Sequence, residues 1–183
     1  HVGDTVHSGE QLRVARGGRM AFLLEDNSVM CLVGAAVMNI DFSPQRIGVF
    51  RLLAGAFIAA LPKGGRTLVQ SPTATIGIKG TVFYHQIFES DAATANSMEG
   101  PVSIPGGIRE YFCLCNGEAE YLRPGETEPY FTDKAHHHNS FYLDPTSSML
   151  LSQAAMLNHT DPEIADLIRF QDEPRHDESW LQL

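Results

Sequence analysis

Thr67-Leu68-Val69-Gln70-Ser71-Pro72-Thr73-Ala74-Thr75-Ile76-Gly77-Ile78-Lys79-Gly80-Thr81-Val82-Phe83-Tyr84-His85-Gln86-Ile87 is the stretch whose reading decides the fold. Apolar and β-branched residues fall there in short runs, Thr67 to Gln70, Ala74 to Ile78 and Val82 to Ile87. Lys79-Gly80, between the last two, has the chemistry of a turn. Side chains of this kind pack well on a pleated, half-buried surface.

The same rhythm extends toward the N-terminus. Arg19 to Leu24, Val29 to Val33, Ile47 to Leu53 and Phe57 to Leu61 read as strands. Gly17-Gly18, Glu25-Asp26-Asn27, Ser43-Pro44 and Pro62-Lys63-Gly64-Gly65 read as the turns between them. Toward the C-terminus, Asp91 to Gly107 is poor in large apolar residues and contains Gly100-Pro101 and Pro105-Gly106-Gly107, which predicts a long surface loop. Order resumes at Ile108. Tyr111-Phe112-Cys113-Leu114-Cys115 reads as a strand, and Asn116-Gly117 as a type I′ hairpin turn into Glu118-Ala119-Glu120-Tyr121-Leu122. Ser140-Phe141-Tyr142-Leu143 is a return strand. Thr160 or Asp161 caps a helix with Pro162 and Glu163 in its first turn and Ile164, Leu167 and Ile168 on one face. Gln171 to Leu183 reads as an acidic, loosely held end.

Length and charge bound the rest. The 183 residues suffice for one well-packed domain and a modest appendage. Thirteen Lys and Arg against 22 Asp and Glu give a net charge of -9, which repels phosphate backbones and excludes nucleic acid as a partner. The longest apolar stretch, Val49 to Leu61, includes Arg51 and is shorter than the roughly 20 residues that span a bilayer core. No basic n-region followed by an apolar h-region opens the chain, so an export signal has been removed or was never there. Three cysteines are too few and too odd a set for a disulfide framework. Cys31, inside Ser28-Val29-Met30-Cys31-Leu32-Val33, reads as a small core hydrophobe.

Val2-Gly3-Asp4-Thr5-Val6, Arg19-Met20-Ala21-Phe22, Glu25-Asp26-Asn27-Ser28 and above all Ser71-Pro72-Thr73-Ala74-Thr75-Ile76-Gly77-Ile78-Lys79-Gly80-Thr81 resemble the FecR domain over about residues 2 to 88. That family is known from the periplasmic half of iron-dicitrate-type signal transducers and from stand-alone secreted proteins. The later Tyr111 to Gly117 strand, the histidine run and Asn158-His159-Thr160-Asp161 are similar to a proteobacterial subgroup with a Cys-x-Cys strand and a downstream His-His. The resemblance implies a mostly β, FecR-type solenoid or sandwich-like domain of many short strands with a short C-terminal helix, in a periplasmic or secreted setting. The expected organisation is a FecR-like β domain at 1–90, a surface loop at 91–107, a Cys-x-Cys hairpin and His loop at 108–157 packed on the same β body, and a helix with an acidic tail at 158–183. The transmembrane and anti-sigma segments of the signalling members are not expected here.

Cys113 and Cys115 carry the chemistry. Side chains two apart on a strand share a face, which puts the Cα atoms roughly 6.5 to 7 Å apart, wider than the usual disulfide spacing of about 5.5 to 6 Å. That separation suits a metal. His136-His137-His138 begins 21 residues after Cys115, within reach once the chain folds back. If the run is extended, His136 and His138 share a face; if it turns, His137 and His138 converge. The subgroup's His-His pattern implies the adjacent pair, so the expected shell is Cys113, Cys115, His137 and His138, with His136 as substitute. His159 is a further candidate, although its place before Thr160 is better read as helping the helix cap. His85 reads as a strand residue facing solvent or a polar partner. The bland alternative is a pair of core thiols beside a solvated histidine loop.

Two thiolates and two imidazoles suit structural zinc first, a [2Fe-2S] cluster second and copper third. No Cys-x-x-Cys-His speaks for c-type haem. No nucleophile elbow, phosphate-binding glycine loop or His-Glu-x-x-His helix is present, and Ser71 and Thr81 lack a nearby base. The expectation is a non-enzymatic, metal-binding sensing, interaction or accessory module with a protein partner. The alternatives are an electron-transfer protein or oxidoreductase subunit with an iron-sulfur centre, and a thiol oxidoreductase.

Overall fold

A computed structural model describes residues 3–42, 48–64, 67–89, 94–97, 100–103, 110–123, 125–143 and 151–172. The expected Ser43-Pro44 turn, the Pro105-Gly106-Gly107 stretch, the restart at Ile108 and the tail after Asp172 lie outside these residues.

The chain is mostly β. Its strands are β1 (Gln11–Arg13), β2 (Arg19–Leu23), β3 (Val29–Phe42), β4 (Gly48–Ala60), β5 (Thr67–Gln70), β6 (Thr75–Ile87), β7 (Thr94–Ser97), β8 (Gly100–Ser103), β9 (Glu110–Leu122), β10 (Phe131–Ala135), β11 (Asn139–Leu143) and β12 (Leu151–Gln153), followed by the helix α1 (Asp161–Asp172). Ten strands form one sheet with the order β1-β3-β4-β5-β6-β9-β11-β12, to which β2 adds on β3 and β10 on β9, while β4 also pairs β6. β7 and β8 pair separately, as a hairpin within the 91–107 segment expected as a surface loop.

Eight strands are short, as the turn rhythm predicts, but β3, β4, β6 and β9 run 13 or 14 residues each. Two expected turns are bends inside them. Lys79-Gly80 lies within β6 and Asn116-Gly117 within β9, and the register of this antiparallel pair shifts there, between Lys79 and Phe83. Gly117 has φ +115, and a Cβ on it would fall 2.4 Å from Thr81 Cβ, so the partner strand crosses where a side chain would stand. Gly55, at φ +76, plays the same part between the two runs that merge into β4, where a Cβ would lie 2.5 Å from Ala36 Cα. The hairpin from β9 is closed later, by the β9–β10 connection.

The bent strands bury both faces. Along the end of β4, Phe57 and Ala59 join a large core with Met30, Leu32, Phe50, Phe83 and Phe112, while Ala56, Ile58 and Ala60 join a second core with Val82, Tyr84, Tyr111, Cys113 and Cys115. This is the two-residue strand period read on both sides of the sheet. Leu157 and Leu167 complete the second core, with Ala95 and Val102 of the β7–β8 hairpin packed against it. Cys31 is half-buried at its margin.

α1 begins on a capping box: the Thr160 N–H donates to Glu163 Oε2 at 2.9 Å, and the Glu163 N–H to Thr160 Oγ1 at 3.4 Å. Leu167 is buried and Ile164 and Phe170 pack at its side, whereas Ile168, expected on the same face, is exposed. His85 faces no solvent. It is fully buried and pairs through Nε2 with Glu110 Oε1 at 2.7 Å.

Candidate metal centre

β9 places Cys113 and Cys115 on its second-core face, almost without solvent contact. Their Sγ atoms are 3.7 Å apart, far beyond a disulfide bond of about 2.05 Å. Both thiols are free.

The histidine run is the connection between β10 and β11. These two strands pair in succession with the two halves of β9, Ala135 opposite Gly117 and Asn139 opposite Leu114. The run therefore passes the bend at Asn116-Gly117, where Asn116 Nδ2 donates to the His136 carbonyl at 3.3 Å. This route presents one ring to the thiols. His138 Nδ1 lies 3.4 Å from Cys113 Sγ. His136 is exposed, and the exposed His137 faces Asp161 at 3.7 Å instead.

The fourth member arrives from before α1. His159 is buried, with Nε2 3.5 Å from Cys115 Sγ. Thr160 does the capping, and the His159 ring turns inward, stacked on Tyr84 at 4.6 Å. The four ligand atoms of Cys113, Cys115, His138 and His159 lie within 4.8 Å of one another. A zinc-like ion with bonds of about 2.3 Å to sulfur and about 2.05 Å to nitrogen has tetrahedral edges near 3.8 Å for sulfur to sulfur and near 3.5 Å for sulfur to nitrogen. Three separations in the cluster, 3.7 Å between the sulfurs and 3.4 and 3.5 Å from sulfur to nitrogen, match edges of that frame.

Each imidazole is held from behind. His138 Nε2 is 2.7 Å from Asp161 Oδ1, and His159 Nδ1 is 2.6 Å from the Leu157 carbonyl oxygen. Both partners are acceptors, so these nitrogens carry hydrogen and the opposite ones face the thiols. The Cys115 hydrogen bond, against the effect of burial and with help from His159, holds the Cys113 thiol down at about 4. Cys115 is pushed upward by its bond to Cys113 and by burial. The pair thus shares one proton, and a bound cation would release it by coordinating both sulfurs. His138 is raised: burial opposes, and the neighbouring Cys113 and Asp161 outweigh it.

Of the residues singled out in the sequence, the structure brings together Cys113, Cys115 and His138, and leaves His136 and His137 at the surface. His159 fills the place expected for His137. A single buried imidazole 44 residues from Cys115 has no local spacing signal, and its place before Thr160 favoured a capping role in the sequence.

What fold and side chains define is a mostly β domain with a closed Cys2His2 cluster on the outer face of its long bent strands. Residues 10–103 match the FecR protein family, and the chain belongs to that family. The match extends past residue 88 to include the β7–β8 hairpin. All four cluster residues lie beyond it. Two crystal structures, at 1.65 and 2.50 Å, of a protein put forward as an anti-sigma factor from Parabacteroides distasonis ATCC 8503 share the fold. Each aligns with TM-score 0.57 and 13% identity over 80% of this chain and 60% of that one. This chain thus spans less than two thirds of that protein. No curated protein matches the sequence.

Proposed function

We propose that this FecR-family chain is an exported metal-binding module, with one zinc ion held by Cys113, Cys115, His138 and His159, that serves a sensing or accessory role through contact with another protein. The observation that carries the reading is that three ligand-atom separations, 3.7, 3.4 and 3.5 Å, match edges of a zinc tetrahedron, with all four atoms within 4.8 Å and both imidazoles oriented from behind. Four closed ligands leave no open position for substrate, which favours a structural over a catalytic ion. Zinc also suits an oxidising compartment, since coordination keeps two neighbouring thiols from oxidation.

A [2Fe-2S] cluster would hold the cysteines on one iron and the histidines on the other, with bridging sulfides between the pairs. Here each cysteine is instead in contact with a histidine, 3.4 and 3.5 Å away. Elemental analysis and an absorption spectrum of natively purified protein test the reading. One zinc per colourless chain, lost on alkylation of the two buried thiols, is the expected result; visible bands that bleach on reduction would replace zinc with the iron-sulfur alternative.

A further inference from the structure

The cluster joins three segments distant in the chain, and the last of them is the root of α1. His159 and Asp161 flank Thr160, the residue that caps the helix. His159 reaches Cys115, and Asp161 holds the back of His138. An ion at this cluster therefore ties the first turn of α1 to β9 and to the β10–β11 connection.

Three further tethers of α1 among the described residues are modest. Leu167 is its one buried apolar side chain among the described residues, with Ile164 and Phe170 packed at the margin. The Arg19–Glu163 pair, at 2.8 Å, is exposed, and such pairs contribute about 0 to 1 kcal/mol. Gln171 Nε2 donates to the Ala60 carbonyl at 3.4 Å, a long bond. A helix of 12 residues is marginal in water without tertiary support.

The chain just before the helix is secured independently. Leu157 is fully buried, its N–H donates to the Tyr111 hydroxyl at 3.0 Å, and it bridges to Ser97. Asn158 follows with φ 55, and its side chain donates to Gln86 Oε1 at 2.7 Å. The anchored segment thus ends at a residue in the left-handed region, and beyond it the cluster adds a tie at the root of α1 to the contacts of Leu167, Glu163 and Gln171.

We infer that an ion held by Cys113, Cys115, His138 and His159 clasps α1 against β3 and β4, and that loss of the ion lets the helix swing out about Asn158 and uncovers the apolar face beneath. The inference rests on the ion-binding reading and adds to it a moving part through which metal supply becomes a change of surface. By linkage, what favours the docked helix also favours the ion, and the reverse.

Hydrogen exchange of the full chain, zinc-loaded and after chelation, tests this when zinc content is measured in parallel. Amides of α1 are expected to exchange roughly 100-fold faster after chelation, while those of β4, β6 and β9 change by less than about threefold. Unchanged α1 protection with one zinc bound and then removed would overturn the clasp and leave the ion site standing, and so would equal loss of protection across the whole chain. A chain that takes up no zinc overturns the ion site and the clasp together. Leu167→Ala, which replaces no ligand, supplies the converse measurement: zinc affinity should fall about tenfold in competition with a chromophoric chelator. An affinity equal to the parent's overturns the coupling.

Discussion

His138 donates its Nε2 hydrogen to Asp161 Oδ1 at 2.7 Å, and this bond decides which nitrogen of the ring faces Cys113. A carboxylate can only accept, and the bond from His138 holds Asp161 below its ordinary range, so it stays ionised at neutral pH. Asp161→Ala should therefore weaken zinc binding by about 10- to 100-fold, the usual effect of removing such an orienting partner. Asp161→Asn keeps an acceptor oxygen and should lose less. Equal zinc affinity in the alanine variant and the parent would mean that packing alone orients the ring.

In the proposed site the histidine run supplies one ligand, not two. His138→Ala and His159→Ala should each abolish stoichiometric zinc after gel filtration, whereas His136→Ala and His137→Ala should keep one zinc per chain. Retention of zinc by His159→Ala together with its loss in His137→Ala would restore the adjacent pair as the ligands.

The contrast between these histidines shows how far the sequence could be read. Cys113 and Cys115 were legible because a strand has a period of two, a local property. The turn at His136-His137-His138 was not, because the ring that points inward depends on β10 and β11 sharing β9 as partner. Asn116-Gly117 and Lys79-Gly80 misled for a related reason. A positive-φ glycine serves a hairpin turn and a bend within a long strand equally well, and the choice is made by the strand that crosses it, here Thr81 against Gly117. His159 was hidden by distance and by a neighbour, Thr160, whose capping role was itself readable.

Proton competition would set the pH dependence of the proposed ion. Cys113, held at about 4, is already a thiolate at neutral pH, while Cys115 is raised and still protonated. His138 is raised as well, so it also binds a proton more tightly than a free imidazole. Coordination needs all of these groups without the protons that compete, so zinc affinity should rise with pH between about 5 and 8, by roughly one to two log units per pH unit. Isothermal titration in buffers of different ionisation enthalpy would measure the protons released; none released would contradict the shared-proton thiol pair.

The bend in β9 has its own test. Gly117→Ala meets both a positive φ of +115 and Thr81 Cβ at 2.4 Å, while Gly125→Ala, at φ +83, meets nothing within 4 Å. The second should cost about 1 to 2 kcal/mol, the ordinary penalty of left-handed backbone. The first should cost more, about 3 kcal/mol or above, because β6 must move as well. Denaturant midpoints of the two variants separate the effects, and equal midpoints would show that β6 gives way freely.

On the same pair of strands, His85 and Glu110 form a buried contact, so of the two settings expected for His85, solvent or a polar partner, the structure has the second. The His85 ring lies between Phe57 and Phe112, at 5.9 and 5.7 Å, and its Nδ1 has no hydrogen-bond partner among the described residues. A polar pair in such surroundings gains little over apolar residues of similar size, yet breaking it leaves a buried group unpaired. Glu110→Ala and His85→Ala should each destabilise the fold by about 3 to 5 kcal/mol in urea. The double replacement His85→Leu with Glu110→Leu should recover most of that loss, since neither partner is then left alone. A double variant as unstable as the sum of the two singles would show instead that the two groups act independently and that their contact is not what the single replacements remove.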